Sequence, residues 1–189
     1  VGGSPAGLFR LTGVPDDPEL TRLNELPAEN ALDVVVDDRG RLLVATQGPG
    51  LIYRLDPERD DDPVLLFEAA QSEIRRFIAG PDGALFCLAL SAGQSGGSGD
   101  QAKRSAQPGQ QAPKIVLFAE GGGNGEPRAA LYRIASEGPV VTEWTGDLDL
   151  MIAAWSRQYG WLAGGPLPEG TDRAVLHRLT PPAGHGILA

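Results

Sequence analysis

Ile52-Tyr-Arg-Leu55 recurs along this chain with small changes. Leu8-Phe-Arg-Leu11 precedes it, and Leu131-Tyr-Arg-Ile134 and Leu176-His-Arg-Leu179 follow. Each copy reads apolar, ring-bearing, arginine, apolar. The first two start 44 residues apart and the last two 45, and the middle gap of 79 fits one unit plus a long insertion. A repeat of about 40–50 residues built from strand-like segments is the signature of a β-propeller. A blade of that fold cannot bury its faces alone and stacks on its neighbours.

Working outward, Leu32-Asp-Val-Val-Val-Asp37 reads as a buried strand, Asp38-Arg-Gly40 as a turn and Arg41-Leu-Leu-Val-Ala-Thr46 as a second strand. Gln47-Gly-Pro-Gly50 is the next turn and Leu51–Asp56 the third strand. An acidic loop leads to a fourth strand over Pro63–Ala69. That is one four-stranded meander of blade size. A second runs through Ile74–Ala79, Ala84–Leu90, Leu131–Ile134 and Pro139–Trp144. A third holds Leu148–Ala154, Tyr159–Ala163 and Val175–Leu179, and a leading half-unit holds Leu8–Leu11 and Leu20–Leu26.

The expected fold is therefore all-β: about three and a half antiparallel propeller blades in one segment, 1–189. It divides into a partial blade 1–31, a blade 32–69, a blade 74–144 with an insertion at 91–130, and an incomplete blade 148–189. In the repeated motif the ring is expected to pack between blades. The arginine, pointing the other way on a period-2 strand, is expected to pair with an acid or a backbone carbonyl.

The chain has 189 residues, 41% hydrophobic and 22% charged, which is globular rather than disordered composition. Its 26 glycines and 16 prolines suit many short strands joined by turns. The net charge of −9 argues against non-specific binding to nucleic acid or anionic lipid, and fits cations or basic partners. Lys103 and Lys114 are the only lysines, so the other cations are arginines, suited to fixed hydrogen-bonded positions. A single cysteine, Cys87, allows no internal disulfide and is neutral on compartment: cytoplasmic, periplasmic and secreted locations all remain open. No apolar run approaches the roughly 18 residues of a membrane span. Val1–Gly7 echoes Val44–Gly50, which reads as a start in mid-blade and a piece of a longer repeat protein.

Gly80-Pro-Asp-Gly-Ala-Leu-Phe86, Asp37-Asp-Arg-Gly-Arg-Leu-Leu-Val44 and Gly50-Leu-Ile-Tyr-Arg-Leu-Asp56 resemble the blade phrases of bacterial β-propellers of the NHL, YVTN and gluconolactonase-like (senescence-marker-protein-like) type. The resemblance covers nearly the whole chain outside the insertion. It implies the fold more than the activity, since such proteins include lactonases, strictosidine-synthase-like enzymes, sensor domains and interaction scaffolds.

Within the insertion, Ser91–Asp100 has linker composition, Lys114–Glu120 is an apolar strand-like run, and Gly121–Gly125 is a second glycine-rich patch. The patch lacks the Lys-Ser/Thr and helix of a phosphate loop. Either the insertion is a tolerated surface loop or it is a lid or docking arm over the central channel. The strand order of the resembled family places it on the top face, where ligands enter.

Residues where inner strands begin line the channel of a propeller. Here these are Glu29, Asn30 and Asp33, then Glu73, Arg75 and Arg76, then Asp147 and Asp149. They read either as a ligand-binding rim or as solvated charges and inter-blade ion pairs. Converging carboxylates with an amide oxygen suit a hard cation such as Ca²⁺. The resembled lactonases use such an ion to polarise the lactone carbonyl; Glu29, Asn30 and Asp149 are the residue types for that role. The family's Glu-Gly-Pro-x-Trp phrase is absent, and Arg75 and Arg76 add positive charge beside the proposed cation.

His177 replaces the tyrosine of the motif, and His185 lies in a Pro/Gly-rich tail; two distant histidines make no metal signature. No Gly-x-Ser-x-Gly elbow occurs. Cys87 reads as an inert buried thiol. Trp144, Trp155 and Trp161 read as inter-blade packing, with Trp155 at a turn where it is free to serve as an exposed binding aromatic. The functional expectation is a non-catalytic ligand-binding or protein-interaction propeller, with a protein or small molecule at the top face and no nucleic-acid or membrane partner. The alternative is a Ca-dependent lactonase-like hydrolase. An incomplete propeller leaves two apolar blade faces open, so the segment is expected to fold poorly alone, or to be completed by a longer chain or an oligomer partner.

Overall fold

The structure, a computed structural model, describes residues 6–13, 17–59, 61–91, 127–136, 138–166 and 174–180. The run Lys114–Glu120, the patch Gly121–Gly125 and His185 lie outside the described residues. Strands β1 (Gly7–Thr12) and β2 (Glu19–Glu25) form a two-stranded ribbon. Strands β3 (Asn30–Val36), β4 (Leu42–Gln47), β5 (Leu51–Leu55) and β6 (Val64–Glu68) form a four-stranded meander. A second meander follows in β7 (Glu73–Ala79), β8 (Leu85–Leu90), β9 (Ala129–Ile134) and β10 (Val141–Gly146). Strands β11 (Ile152–Ser156), β12 (Gly160–Pro166) and β13 (Ala174–Leu179) form the third. Every pairing is antiparallel. The fold is the all-β blade architecture that the repeat implies.

The innermost strands stand side by side: β7 lies against β3 on one flank and β11 on the other. The first two meanders join at one point, where Gln47 of β4 pairs with Glu73 of β7. Elsewhere they meet through side chains, as stacked blades do.

Those side chains form three separate cores. Leu8, Leu26, Val44, Leu51 and Tyr53 lie between the leading ribbon and the first meander. Leu43, Ala45, Ile52, Ile74, Phe77, Cys87 and Tyr132 lie between the first and second meanders. Ile78, Phe86, Leu88, Leu131, Leu150 and Trp161 lie between the second and third. Alternate residues of a strand therefore serve different cores. Val44 points one way and Leu43 and Ala45 the other; Cys87 and Ala89 oppose Phe86 and Leu88. A strand buried on both faces must be apolar throughout, which is why Leu-Leu-Val-Ala and Leu-Phe-Cys-Leu-Ala-Leu carry no alternation. At about 25 cal/mol per Å² of apolar surface, these interfaces supply most of what holds the blades together.

Two rings of the motif and one of its arginines make the expected contacts. Tyr53 packs toward the leading ribbon and Tyr132 toward the first meander, where it lies edge-on to Phe67 with ring centroids 4.7 Å apart. Arg10 points forward and donates to the Pro57 carbonyl (2.7 Å) and to Glu58 (3.0 Å). The Asp-Gly turn of the second meander places Asp82 (φ 55°, ψ 25°) and Gly83 (φ 76°) in the left-handed region, the geometry for which Asp-Gly is favoured in hairpins.

The third meander departs from its expected bounds. Leu148 and Leu150 contact the core as a lead-in, and the strand starts only at Ile152. Trp155 is not at a turn: it sits inside β11, opposite Trp161 and edge-on to it at 5.4 Å. Gly80 is required where it is, because a Cβ there would stand 2.3 Å from the Phe86 ring.

Candidate functional site

The charged residues of the inner strands gather at the end of the blades where β3 and β7 begin. Both strands carry a bulge there, after Ala31 and after Ile74, which places one extra residue on each inner strand. Asn30 and Glu73 occupy matching places, opposite Gln47 and Leu90, the last residues of their partner strands. Bulged strands at the axis re-aim side chains; in the second meander the result is that Arg75 and Arg76 are both exposed.

Each acid at this end has a protein partner, Glu29 and Asp147 apart. Asp33 lies on β3, and its Oδ2 accepts from the backbone N–H of Phe77 on β7 (2.8 Å) while Oδ1 accepts from Val34 N–H (2.9 Å). It stitches one innermost strand to the next. The Glu73 side chain is 6% exposed and accepts from Arg75 Nε at 2.9 Å, with a second contact from the same guanidinium. A carboxylate so deeply buried needs that charge-assisted pairing. Asp149 pairs with Arg128 at the surface, where such a contact contributes little stability. Asn30 Nδ2 donates to Gln47 Oε1 (3.2 Å). Glu29 is exposed and lies against Gly48, where a Cβ would collide with its side chain. Asp147 and Arg76 are exposed and make no hydrogen bond or ion pair among the described residues.

The three residues with calcium-like chemistry, Glu29, Asn30 and Asp149, are thus on the same end but engaged separately. Among the described residues no three His, Cys, Asp or Glu side chains gather closely enough to hold a metal ion. Cys87 is fully buried, and desolvation pushes its thiol far up, against a smaller opposing effect of the Tyr132 backbone hydrogen bond. A thiol that cannot ionise is no nucleophile. His177 is half-buried in β13 opposite Ala163.

The root of the insertion belongs to this end as well. Ser91 N–H donates to the Arg128 carbonyl (2.8 Å), which closes the two stumps on each other. Gln71, 1% exposed, donates from Nε2 to the Pro127 carbonyl (2.8 Å) and accepts from the Tyr132 hydroxyl (2.9 Å). One buried amide so ties the link between the meanders to the returning stump. Sequence reasoning missed Gln71, Arg128 and Gln47. Gln71 stands in Gln-Ser-Glu, which reads as loop, and its only signal is that the ring of the repeated motif here carries a hydroxyl in need of a buried partner.

Comparison with known proteins returns nothing at a significant level: no family model, no curated protein and no solved structure matches the chain.

Proposed function

We propose that this chain is a recognition module, a segment of an NHL-, YVTN- or gluconolactonase-like propeller that binds a protein or small-molecule ligand at the end where β3, β7 and β11 begin. One observation carries the reading. Asp33 and Glu73 on the inner strands, and Asp149 just ahead of β11, are each paired with a backbone N–H or an arginine. Groups engaged in this way shape a surface. Glu29, Arg75, Arg76 and Asp147 are exposed on that surface, offering both signs of charge within one end of the blades. Ser91 and Pro127, which flank the insertion, lie at the same end, and Gln71 holds the Pro127 carbonyl there.

The test is site-specific photocrosslinking in the source cells. A crosslinker at Glu29 or Arg76 is expected to capture a discrete partner, whereas one at Asp38, on the hairpin at the other end, is not. Capture from Asp38 in preference to Glu29 would overturn the reading. Calcium-dependent turnover of simple lactones by the purified protein would replace it with the hydrolase.

A further inference from the structure

The register puts Val34, opposite Val44, Phe77, opposite Cys87, and Ala153, opposite Ala163, at matching places on β3, β7 and β11. The rings of the repeated motif fix the alignment of the last two: Cys87 is in turn opposite Tyr132, and Ala163 opposite His177. An antiparallel ladder turns every second N–H away from its partner strand. Phe77 is such a residue, three before Gly80, whose N–H closes the hairpin on the Ala84 carbonyl (2.8 Å). Ala153 is another, since the Met151 N–H donates to the Gly164 carbonyl (2.8 Å) and Ile152 pairs with the same glycine. One carboxylate, Asp33, takes up the N–H of Val34 (2.9 Å) and that of Phe77 (2.8 Å). Asp33 stands one residue before Val34; one residue before Phe77 stands Arg76. The charge is reversed from one step round the axis to the next. Where β3 offers an acceptor to β7, β7 offers a cation to β11, and the Ala153 N–H meets no acceptor among the described residues. Arg76 is exposed, and Glu73 is engaged by Arg75. Beside this place Met151 and Ile152 are 60% and 58% exposed.

We propose that Arg76 and the Ala153 N–H form a binding site for a carboxylate, and that the acid it takes has an aliphatic body. The ligand's carboxylate does between β7 and β11 what the Asp33 carboxylate does between β3 and β7. One oxygen accepts from the outward N–H of the inner strand, and the other accepts from the guanidinium in a charge-assisted hydrogen bond. The chain supplies both donors here, so the acceptor is what the ligand brings. A neutral group of the same shape gains no charge-assisted bond and is read as different. Met151 and Ile152 cover the apolar part of the ligand, which adds burial to the polar contact. The inference rests on the recognition reading and deepens it: it names the chemistry of the ligand and the two donors that read it. A free aliphatic acid and a peptide ending in leucine carry that same chemistry, and the experiment separates them.

The experiment titrates nitrogen-labelled protein with two pairs of probes: isovalerate against isovaleramide, and a short peptide ending in free leucine against its amidated form. Saturable shifts of the Ala153 amide and the Arg76 Nε–H are expected with a carboxylate and not with its neutral partner. A response to isovalerate marks a site for free acids; a response to the free-ended peptide alone marks a polypeptide terminus. Arg76→Gln is expected to weaken binding about tenfold or more while melting stays unchanged, because the side chain is exposed and unbonded. Arg76→Asp rebuilds the Asp33 arrangement one blade on, and is expected to abolish binding and to slow exchange of the Ala153 amide about tenfold. Silence from both carboxylates overturns the proposal, as does an equal response to the neutral probes. So does binding that survives Arg76→Gln, or Ala153 exchange unchanged in Arg76→Asp. Partner capture from Glu29 with silence from both carboxylates removes this site and keeps the recognition module. Carboxylate binding with capture from Asp38 in preference to Glu29 keeps the site and removes the module.

Discussion

The interface between the first and second meanders and the one between the leading ribbon and the first meander are built from the same repeat, yet they end differently. The former is covered from its outermost strand to its innermost: Leu66 and Phe67 pack at the outside, Ile74 and Phe77 at the axis, and Asp33 bonds across to Phe77 N–H. The latter is closed outside by Leu8, Leu26 and Tyr53 and open at the axis, where Val34 lines a cleft. The difference teaches where the stability of such a stack resides. A blade face is stabilised only over the area its neighbour covers, so matched positions in successive blades carry unequal energies.

The largest test of that contrast is a pair of truncations. Phe77→Ala removes a buried ring from a complete interface and is expected to cost about 3–5 kcal/mol. Val34→Ala, at the matching place, is expected to cost no more than about 0.5 kcal/mol. Chemical denaturation of both variants measures the two numbers; equal losses break the comparison. Next comes the buried clamp of the closed interface. Tyr132→Phe leaves the Gln71 carbonyl oxygen without its donor, and a loss of about 1–3 kcal/mol is expected by the same assay.

A smaller effect is expected at the axis. Asp33→Ala deletes the acceptor for Phe77 N–H and should cost about 1–2 kcal/mol, with faster exchange of the Phe77 amide. Unchanged exchange at Phe77 would mean the two inner strands are not joined there. The smallest effect lies inside one meander and serves as the control. Burial alone would raise the Asp37 carboxyl, but the N–H groups of Arg41 and Arg39 and the Arg41 guanidinium outweigh it and hold the group below its ordinary value of 3.8. The folded value is the lower one, so the stabilisation is complete above the ordinary value and is lost as pH falls through the folded one. Asp37→Asn should flatten this acid limb without touching either interface, which a pH series of thermal melts checks.

The architecture was legible because a blade strand buried on both faces leaves an unbroken apolar run, and because the ring and arginine of Tyr53-Arg54 alternate on a strand. Strand bounds in the third meander were not: Leu148 and Leu150 are as apolar as a strand, but they pack in the core as a lead-in. The expected strand ended at Ala154, which put Trp155 at a turn, whereas the strand runs through it to Ser156. The positions of Asp33, Glu73 and Asp149 near the axis followed from the strand order. The partners of Asp33 and Asp149 did not, since Phe77 N–H lies 44 positions from Asp33 and Arg128 stands at the foot of the insertion, well before Asp149. A single sequence carries no record of which distant backbone group a carboxylate will meet.

Methyl–methyl NOE spectroscopy on isoleucine-, leucine- and valine-labelled protein tests the stacked-blade account most directly. Three separate contact networks are expected: Leu8 with Val44 and Leu51, Ile52 with Ile74 and Ile134, and Ile78 with Leu88, Leu131 and Leu150. A single merged network, as two sheets enclosing one common core would give, contradicts it.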